Sequence, residues 1–157
     1  MNKFYYHSPL GYINITIDSQ VVNALSLGSK SCAGSDLMSA TDPTARELCH
    51  QLTRYFSDSY MKFTVPVQAK GTAFQQSVWK EMCMIPAGST ISYGKLAAKL
   101  NTSARAVGNA CRMNPIPLLI PCHRVVAKSG LGGYSGETSG EMMTIKKWLL
   151  NHEGVVV

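Results

Sequence analysis

The sequence has no apolar run approaching the roughly 18 residues that a membrane span needs. Its polar opening, Met1-Asn2-Lys3, is followed by neither an apolar signal core nor a cleavage site. A soluble, cytoplasmic protein with no membrane contact is expected. Repeats and low-complexity tracts are also missing. The five cysteines, at positions 32, 49, 83, 111 and 122, form no CxxC pair and no zinc-like spacing, so reduced thiols are expected. Charged residues are sparse, at 15% against 45% hydrophobic, and the mean hydropathy is -0.01. That balance excludes the weakly apolar, highly charged composition of a disordered chain. The small charged set is lopsided: 15 Lys and Arg against 9 Asp and Glu leave a net charge of +6 and a pI near 9.1. An anionic partner fits this excess, although solubility alone also accounts for it.

A chain of 157 residues has room for one ordinary domain or two small ones. The first part alternates like a strand at Ile13, Ile15 and Ile17, and a second run, Val21 to Leu27, follows a turn signal at Asp18-Ser19. Asp42 then offers an N-cap with Pro43 at the first helical position. Ala45, Leu48, Cys49, Leu52, Tyr55 and Phe56 follow with helical spacing. A small antiparallel sheet covered by one helix is expected. The pattern breaks at Pro66 and Gly71, and helical periodicity with basic residues takes over.

This places a boundary after residue 70, with an N-terminal domain over 1–70 and a mostly helical C-terminal domain over 71–157. The fold class is α/β, of the α+β kind. Phe74, Val78 and Met82 mark one helical face. Ser92 caps a helix ending at Asn101, and a second runs from Ala104 to about Met113. Two helices joined by so short a turn suggest a helix-turn-helix. Asn114-Pro115-Ile116-Pro117 stiffens the approach to the apolar run Leu118-Leu119-Ile120, which leads into Pro121-Cys122-His123-Arg124-Val125-Val126. A glycine-rich loop over 129–140 precedes a last helix marked by Met142, Ile145 and Leu149.

Cys122 followed by His123, introduced by a proline, has the makings of a nucleophile whose proton leaves through an imidazole. Free cysteine is also among the most buried residue types, so a small packed hydrophobe is the plain alternative. Glu153 reads equally as a solvated carboxylate, and Lys95, Lys99, Arg105 and Arg112 as a solvated basic face. Ala104, Ala106, Gly108 and Ala110 permit either close helix packing or close approach to a groove only about 6 Å wide.

Pro121-Cys122-His123-Arg124-Val125 resembles the active-site motif of the O6-alkylguanine-DNA alkyltransferases. Gly88-Ser89-Thr90-Ile91-Ser92-Tyr93, Ala104-Arg105-Ala106-Val107-Gly108, Asn114-Pro115, Gly133-Tyr134-Ser135-Gly136, Trp148-Leu149-Leu150 and His152-Glu153-Gly154 resemble that family's blocks in the same order. The resemblance spans essentially all of Gly71 to Gly154. It implies irreversible, single-turnover transfer of a methyl or other alkyl group from O6-alkylguanine, and also O4-alkylthymine, in DNA to Cys122. His123 would take the thiol proton through a bridging water, Glu153 would orient His123, and Asn114 would complete the network. Tyr93 would donate at the purine ring as guanine leaves. Val125 would accept from the exocyclic amine through its carbonyl, Ser135 would donate its backbone N–H to O6, and Tyr134 would wall the pocket near Cys111.

For DNA, the resemblance implies Arg105 as the side chain that enters the base stack when the guanine is flipped out. Ala104, Gly108, Arg112, Ser92 and Lys95 would lie against the duplex. It further implies a ribonuclease H-like N-terminal domain, double-stranded DNA carrying the lesion as partner, no obligate protein partner, and a monomer. No cofactor is expected. No metal is expected either, since His7, Cys32, Cys49 and His50 assemble no convincing ligand set. With no N-terminal extension for phosphotriester sensing, a transcriptional role is not expected. Three other readings stay open: a lesion-binding module without transfer, though Cys122 is present; a thiol hydrolase that turns over; and a sequence-reading helix-turn-helix regulator, which would dimerise on palindromes.

Overall fold

The computed structural model describes residues 1–134 and 140–157. Its contacts divide the chain into two compact units, Met1–Lys70 and Gly71–Val157.

The first unit opens with three antiparallel strands, β1 (Asn2–Ser8), β2 (Gly11–Asp18) and β3 (Val21–Ser29). A two-residue β4 (Ser35–Asp36) pairs parallel with β1, giving the sheet order β3-β2-β1-β4. The expected antiparallel sheet is therefore present with a parallel edge added. Strand alternation puts Phe4 and Tyr6 from β1 and Ile13, Ile15 and Ile17 from β2 on one buried face. In β3 the buried positions are Val22, Leu25 and Leu27. The uneven spacing comes from a register shift: Ile17 pairs with Val22 but Thr16 pairs with Ala24, leaving Asn23 as an extra residue.

The hairpin turn falls one residue later than the sequence suggests, on Ser19 and Gln20, both at positive φ as a primed turn demands. Gln20 is tied to the following helix, donating to Asp42 Oδ1 at 2.6 Å and accepting from Thr44 Oγ1 through its carbonyl at 2.8 Å. That helix, α1 (Pro43–Ser57), is capped by Asp42 and buries Ala45, Leu48, Leu52 and Tyr55. It packs on the sheet, with Tyr6 Oη and Thr53 Oγ1 3.0 Å apart and Phe56 stacked on Tyr6.

The second unit begins with α2 (Ala73–Met82), closed at its N-terminus by a reciprocal capping box between Thr72 and Gln75. Val78 and Met82 are buried as expected and Trp79 joins them, whereas Phe74 is 37% exposed, so the expected Phe74-Val78-Met82 line holds at its last two positions and fails at its first. Trp79, whose indole N–H donates to the Ala110 carbonyl at 2.9 Å, takes the inner place. Strand β5 (Ile91–Ser92) leads directly into α3 (Tyr93–Lys99), and a short turn containing Asn101 at φ 56° connects to α4 (Ala104–Arg112). Ser92 and Ser103 cap these helices by accepting from Lys95 N and Ala106 N, each at 3.1 Å. The helix-turn-helix pattern is thus present.

After α4 come a single 3-10 turn (Cys122–Arg124), strand β6 (Val125–Val126) and the last helix, α5 (Glu141–His152). Strand β6 pairs parallel with β5, Ile91 against Val125 and Ser92 against Val126. The start of α3 is thereby registered against the segment that carries the thiol. On α5, Ile145 and Leu149 are buried as expected, but Met143 rather than Met142 takes the inner position.

Candidate active site

The approach to Cys122 is an over-determined loop. Leu118 is buried yet sits at φ 77°, a conformation that costs a branched side chain about 1–3 kcal/mol and persists only where its surroundings enforce it. Asn114 supplies much of that enforcement: its Oδ1 accepts from Ile116 N at 2.9 Å and its Nδ2 donates to the Ile120 carbonyl at 2.8 Å. Ile120 N also donates to the Ile116 carbonyl at 2.9 Å, closing the loop.

Cys122 is 5% exposed. Burial raises its thiol pKa, while the neighbouring Asn114 and Tyr134 side chains and the positive charge of Lys146 act in the opposite sense. The neighbouring imidazole and carboxylate form one chain. His123 Nε2 lies 2.8 Å from Glu153 Oε2, and both side chains are 0% exposed. Arg124 grips the same carboxylate with both arms of its guanidinium, Nε to Oε1 at 2.8 Å and Nη2 to Oε2 at 3.0 Å, while Nη1 donates to the Ile85 carbonyl at 2.6 Å.

Desolvation alone would push the Glu153 carboxyl up. The hydrogen bonds from His123 and Arg124 outweigh it and hold the group down at about 2, so it is ionised at neutral pH. Desolvation lowers the His123 pKa, against the pull of Glu153. A neutral imidazole beside a carboxylate places its hydrogen on Nε2 as the donor to Glu153, which leaves Nδ1 as an acceptor. Nδ1 is buried and has no hydrogen-bond partner among the described residues, so an unused acceptor sits on the residue next to the thiol. Cysteine, imidazole and carboxylate in this order form the constellation of an activated nucleophile.

Tyr93, the first residue of α3, donates its hydroxyl to the Gly133 carbonyl at 3.3 Å. Burial, followed by the nearby Cys111 and Cys122 thiols, raises its pKa to about 12, so it holds its proton at neutral pH. Cys111, on α4, is buried with its sulfur 3.5 Å from Met82 Sδ, and burial raises its pKa to about 12. Val125 is fully buried, and its carbonyl accepts from Lys146 Nζ at 2.8 Å. The structure thus gathers Cys122, His123, Glu153, Asn114, Tyr93, Val125, Tyr134 and Cys111 around one thiol. Ser135 lies outside the described residues.

The residues expected against DNA lie on the two short helices and at the cap of the first. Ala104, Arg105, Arg112 and Lys95 are exposed and Ser92 is half-buried. Nothing lies within 4 Å of the position a Cβ would occupy on Gly108. The small residues of α4 therefore divide: Ala110 is buried against Trp79, whereas Ala104 and Gly108 leave an open, low surface beside Arg105. Lys99 pairs with Glu81 at 3.7 Å.

The model for "6-O-methylguanine DNA methyltransferase, DNA binding domain" matches residues 73–155, and that for the "ribonuclease-like domain" of the same proteins matches residues 1–69. The chain belongs to the 6-O-methylguanine DNA methyltransferase family. A methylated-DNA–protein-cysteine methyltransferase of Saccharolobus solfataricus is 39% identical over 152 residues, covering 97% of this chain and 95% of its own length. The one from Archaeoglobus fulgidus is 44% identical over 110 residues, 69% of this chain and 75% of its own. Among solved structures, the Mycobacterium tuberculosis O6-methylguanine methyltransferase has a TM-score of 0.81 at 32% identity, over 97% of this chain and 92% of that one. The Mycobacterium tuberculosis OGT in complex with DNA has a TM-score of 0.80 at 34% identity, over 98% and 92%.

Two residues of the site escaped the sequence reading. Arg124 stood inside the Pro121–Val125 motif without a role, and its two-armed hold on Glu153 has no signature in spacing. Lys146 was legible in principle, because Met143, Lys146, Leu150 and Glu153 recur at three- and four-residue steps and form one inward line along α5 and its end. A lysine on such a line is a signal in itself, since lysine is almost never fully buried unless paired.

Proposed function

We propose that this methyltransferase repairs DNA by direct reversal, moving the alkyl group of O6-alkylguanine in duplex DNA onto Cys122 Sγ. The observation that carries the reading is a buried thiol next to a neutral imidazole whose far nitrogen is held by an ionised, doubly clamped carboxylate. His123 Nδ1 takes the thiol proton through one bridging water, and Glu153 stabilises the imidazolium that results. The thiolate attacks the sp³ alkyl carbon, forming a carbon–sulfur bond as the carbon–oxygen bond breaks. The electron pair leaves on guanine, which takes a proton at the purine ring from Tyr93. Val125 accepts from the exocyclic amine through its carbonyl, the Ser135 N–H donates to O6, and Tyr134 with Cys111 completes the pocket. Nucleophile and proton donor come from the chain itself, so the step as written uses no cofactor. The product is a thioether, a poor leaving group, so each molecule acts once.

The reacting carbon is inaccessible within a stacked duplex, and extrusion of the base costs a few kcal/mol. Arg105, exposed at the start of α4, enters the vacated stack. Ala104 and Gly108 allow the helix to approach the minor groove, and Ser92, Lys95 and Arg112 meet the backbone. O4-alkylthymine likewise carries its alkyl carbon on an exocyclic oxygen of the base and is a second substrate. Met1–Lys70 is a structural domain, and the remainder carries both DNA binding and transfer. The protein works as a cytoplasmic monomer without an obligate protein partner.

The test is a titration of O6-methylguanine duplex with protein, counting the lesions that remain. Removal should stop at one lesion per protein however long the incubation, and Cys122→Ser should remove none. Removal well beyond one per protein would mean turnover and a hydrolytic mechanism instead.

A further inference from the structure

The transfer written above uses one sulfur, yet the pocket holds three. Met82 from α2, Cys111 from α4 and Cys122 from the 3-10 turn are all buried, and α2 packs against both of the other elements. The Cys111 S–H donates to Met82 Sδ at 3.5 Å. Three further bonds tie the two cysteines together: the Cys111 carbonyl accepts from Asn114 N at 3.2 Å, Asn114 Nδ2 donates to the Ile120 carbonyl at 2.8 Å, and the same carbonyl accepts from Cys122 N at 2.8 Å. The two thiols also face common neighbours. Each pulls the pKa of the Tyr93 hydroxyl and of the Lys146 ammonium upward, and Cys122 does the same to Cys111. Alkyl transfer asks for neither Met82 nor a second thiol, since a wall of the guanine pocket needs only apolar bulk. Two thiols and a thioether closed to water are, by contrast, a donor set for a soft metal.

Thiolate and thioether ligands select copper(I). Zinc takes four ligands in a tetrahedron and finds three here, while magnesium and calcium take oxygen, which none of the three supplies. We propose that Cys111, Cys122 and Met82 form a copper(I) site, with two thiolates and one thioether around the ion. The ion arrives already as copper(I), so no electron moves. Both S–H bonds break, both cysteine sulfurs bind the metal as thiolates, Met82 Sδ gives a lone pair, and two protons leave to solvent. Burial favours the neutral thiols while no cation is present, and a bound cation reverses that preference by stabilising the anions. One ion and two thiolates leave one negative charge in excess, which the Lys146 ammonium faces. With copper bound, the Cys122 sulfur is engaged and cannot attack an alkyl carbon. Methylated Cys122 is a neutral thioether, so the copper site then loses one of its two anions. These consequences for repair rest on Cys122 being the alkyl acceptor, whereas the copper site itself does not.

The experiment titrates the whole protein, reduced and free of oxygen, with copper(I) buffered by the chelator bathocuproine disulfonate, and records copper K-edge absorption of the loaded protein. Wild type should take one ion more tightly than Cys111→Ser by at least about 100-fold, and more tightly than Met82→Leu by about tenfold, for the loss of a thiolate and of a thioether. Cys111→Ser keeps Cys32, Cys49 and Cys83, so copper held by those thiols survives in it and is subtracted. The absorption should show three sulfur neighbours in wild type and two in Met82→Leu, with no nitrogen or oxygen. One equivalent of copper(I) should stop methyl transfer, and excess chelator should restore it. Independently of any variant's folding, wild type methylated on Cys122 by lesion DNA should lose the tight site. An affinity in Cys111→Ser within about threefold of wild type, a nitrogen or oxygen bound to the copper, or an unchanged affinity after methylation overturns the proposal. Failure of wild type to accept methyl from DNA would instead overturn the repair reading, and the copper titration and spectrum of the unmethylated protein would stand apart from it.

Discussion

The two units bury polar side chains of opposite character. In Met1–Lys70 the buried polar residues are Ser8, Thr44 and Gln51, all neutral and all hydrogen-bonded within the unit. Gln51, for example, accepts from Thr64 N at 2.9 Å and donates to Thr64 Oγ1 at 2.7 Å, pinning the chain beyond α1. Among the described residues of Gly71–Val157 they are His123, Lys146 and Glu153, all ionisable. Neutral amides and hydroxyls can be buried at little net cost once bonded, whereas an ionisable group without a partner is expensive. The first unit spends its polar groups on holding a fold. The second holds three titratable groups away from water in one place, all with pKa values displaced downward: His123 and Lys146 by desolvation, Glu153 by its hydrogen bonds from His123 and Arg124 against desolvation. Such clusters mark functional sites.

The most severe way to break this contrast is Cys122→Ser, which leaves the charged chain intact but removes its purpose. Transfer should vanish while binding to lesion-bearing duplex persists, as read by gel retardation beside a lesion-counting assay. Next is Glu153→Gln, which strands Arg124 and His123 without their anion. It should cost about 3 kcal/mol in denaturant unfolding and slow transfer by about 10²-fold or more. It should also change the acid response. A carboxyl held at about 2 in the fold but titrating near 4.3 when unfolded contributes stability that is complete above the unfolded value and drains away as pH falls towards about 2. Wild type should therefore lose stability over that window, and Glu153→Gln should lose markedly less.

Arg105→Ala lies outside the buried cluster and sharpens the contrast by sparing it. Transfer from duplex DNA should fall about tenfold, equivalent to about 1.4 kcal/mol of stabilisation of the flipped-out state. Transfer from a single-stranded oligonucleotide, where no stack needs filling, should change by less than about twofold. The smallest functional effect belongs to Gln51→Ala in the first unit. It should lower stability by about 1–2 kcal/mol through the unpaired groups it leaves, with the transfer rate unchanged at temperatures where the protein stays folded.

What was legible in the sequence follows the same division. The strands at Ile13–Ile17 and Val21–Leu27, the Asp42-capped helix and the two short helices announced themselves through period and caps, because each of those signals is local. Strand β1 went unread although Phe4 and Tyr6 alternate, since Tyr5 and Tyr12 place aromatics on the outer face as well and blur the pattern. The parallel pairing of β4 is two residues long and is fixed only by its neighbour. Phe74 misled because α2 selects Trp79 for its inner face, a choice made by the Ala110 carbonyl that its indole meets. At the site, Cys122, His123 and Glu153 were named from their motif context, but Arg124 bonds Glu153 and Ile85, 29 and 39 positions away, and Lys146 bonds Val125, Leu131 and Gly133, 21, 15 and 13 positions away. No spacing rule reaches so far.

The most direct test of the account is mass spectrometry of the intact protein and its Cys122 peptide after exposure to excess O6-methylguanine duplex, with Cys122→Ser alongside. The account predicts one added methyl per molecule, located on Cys122 and absent from the variant. No methyl on Cys122, or an equal gain on another cysteine in both proteins, would contradict it.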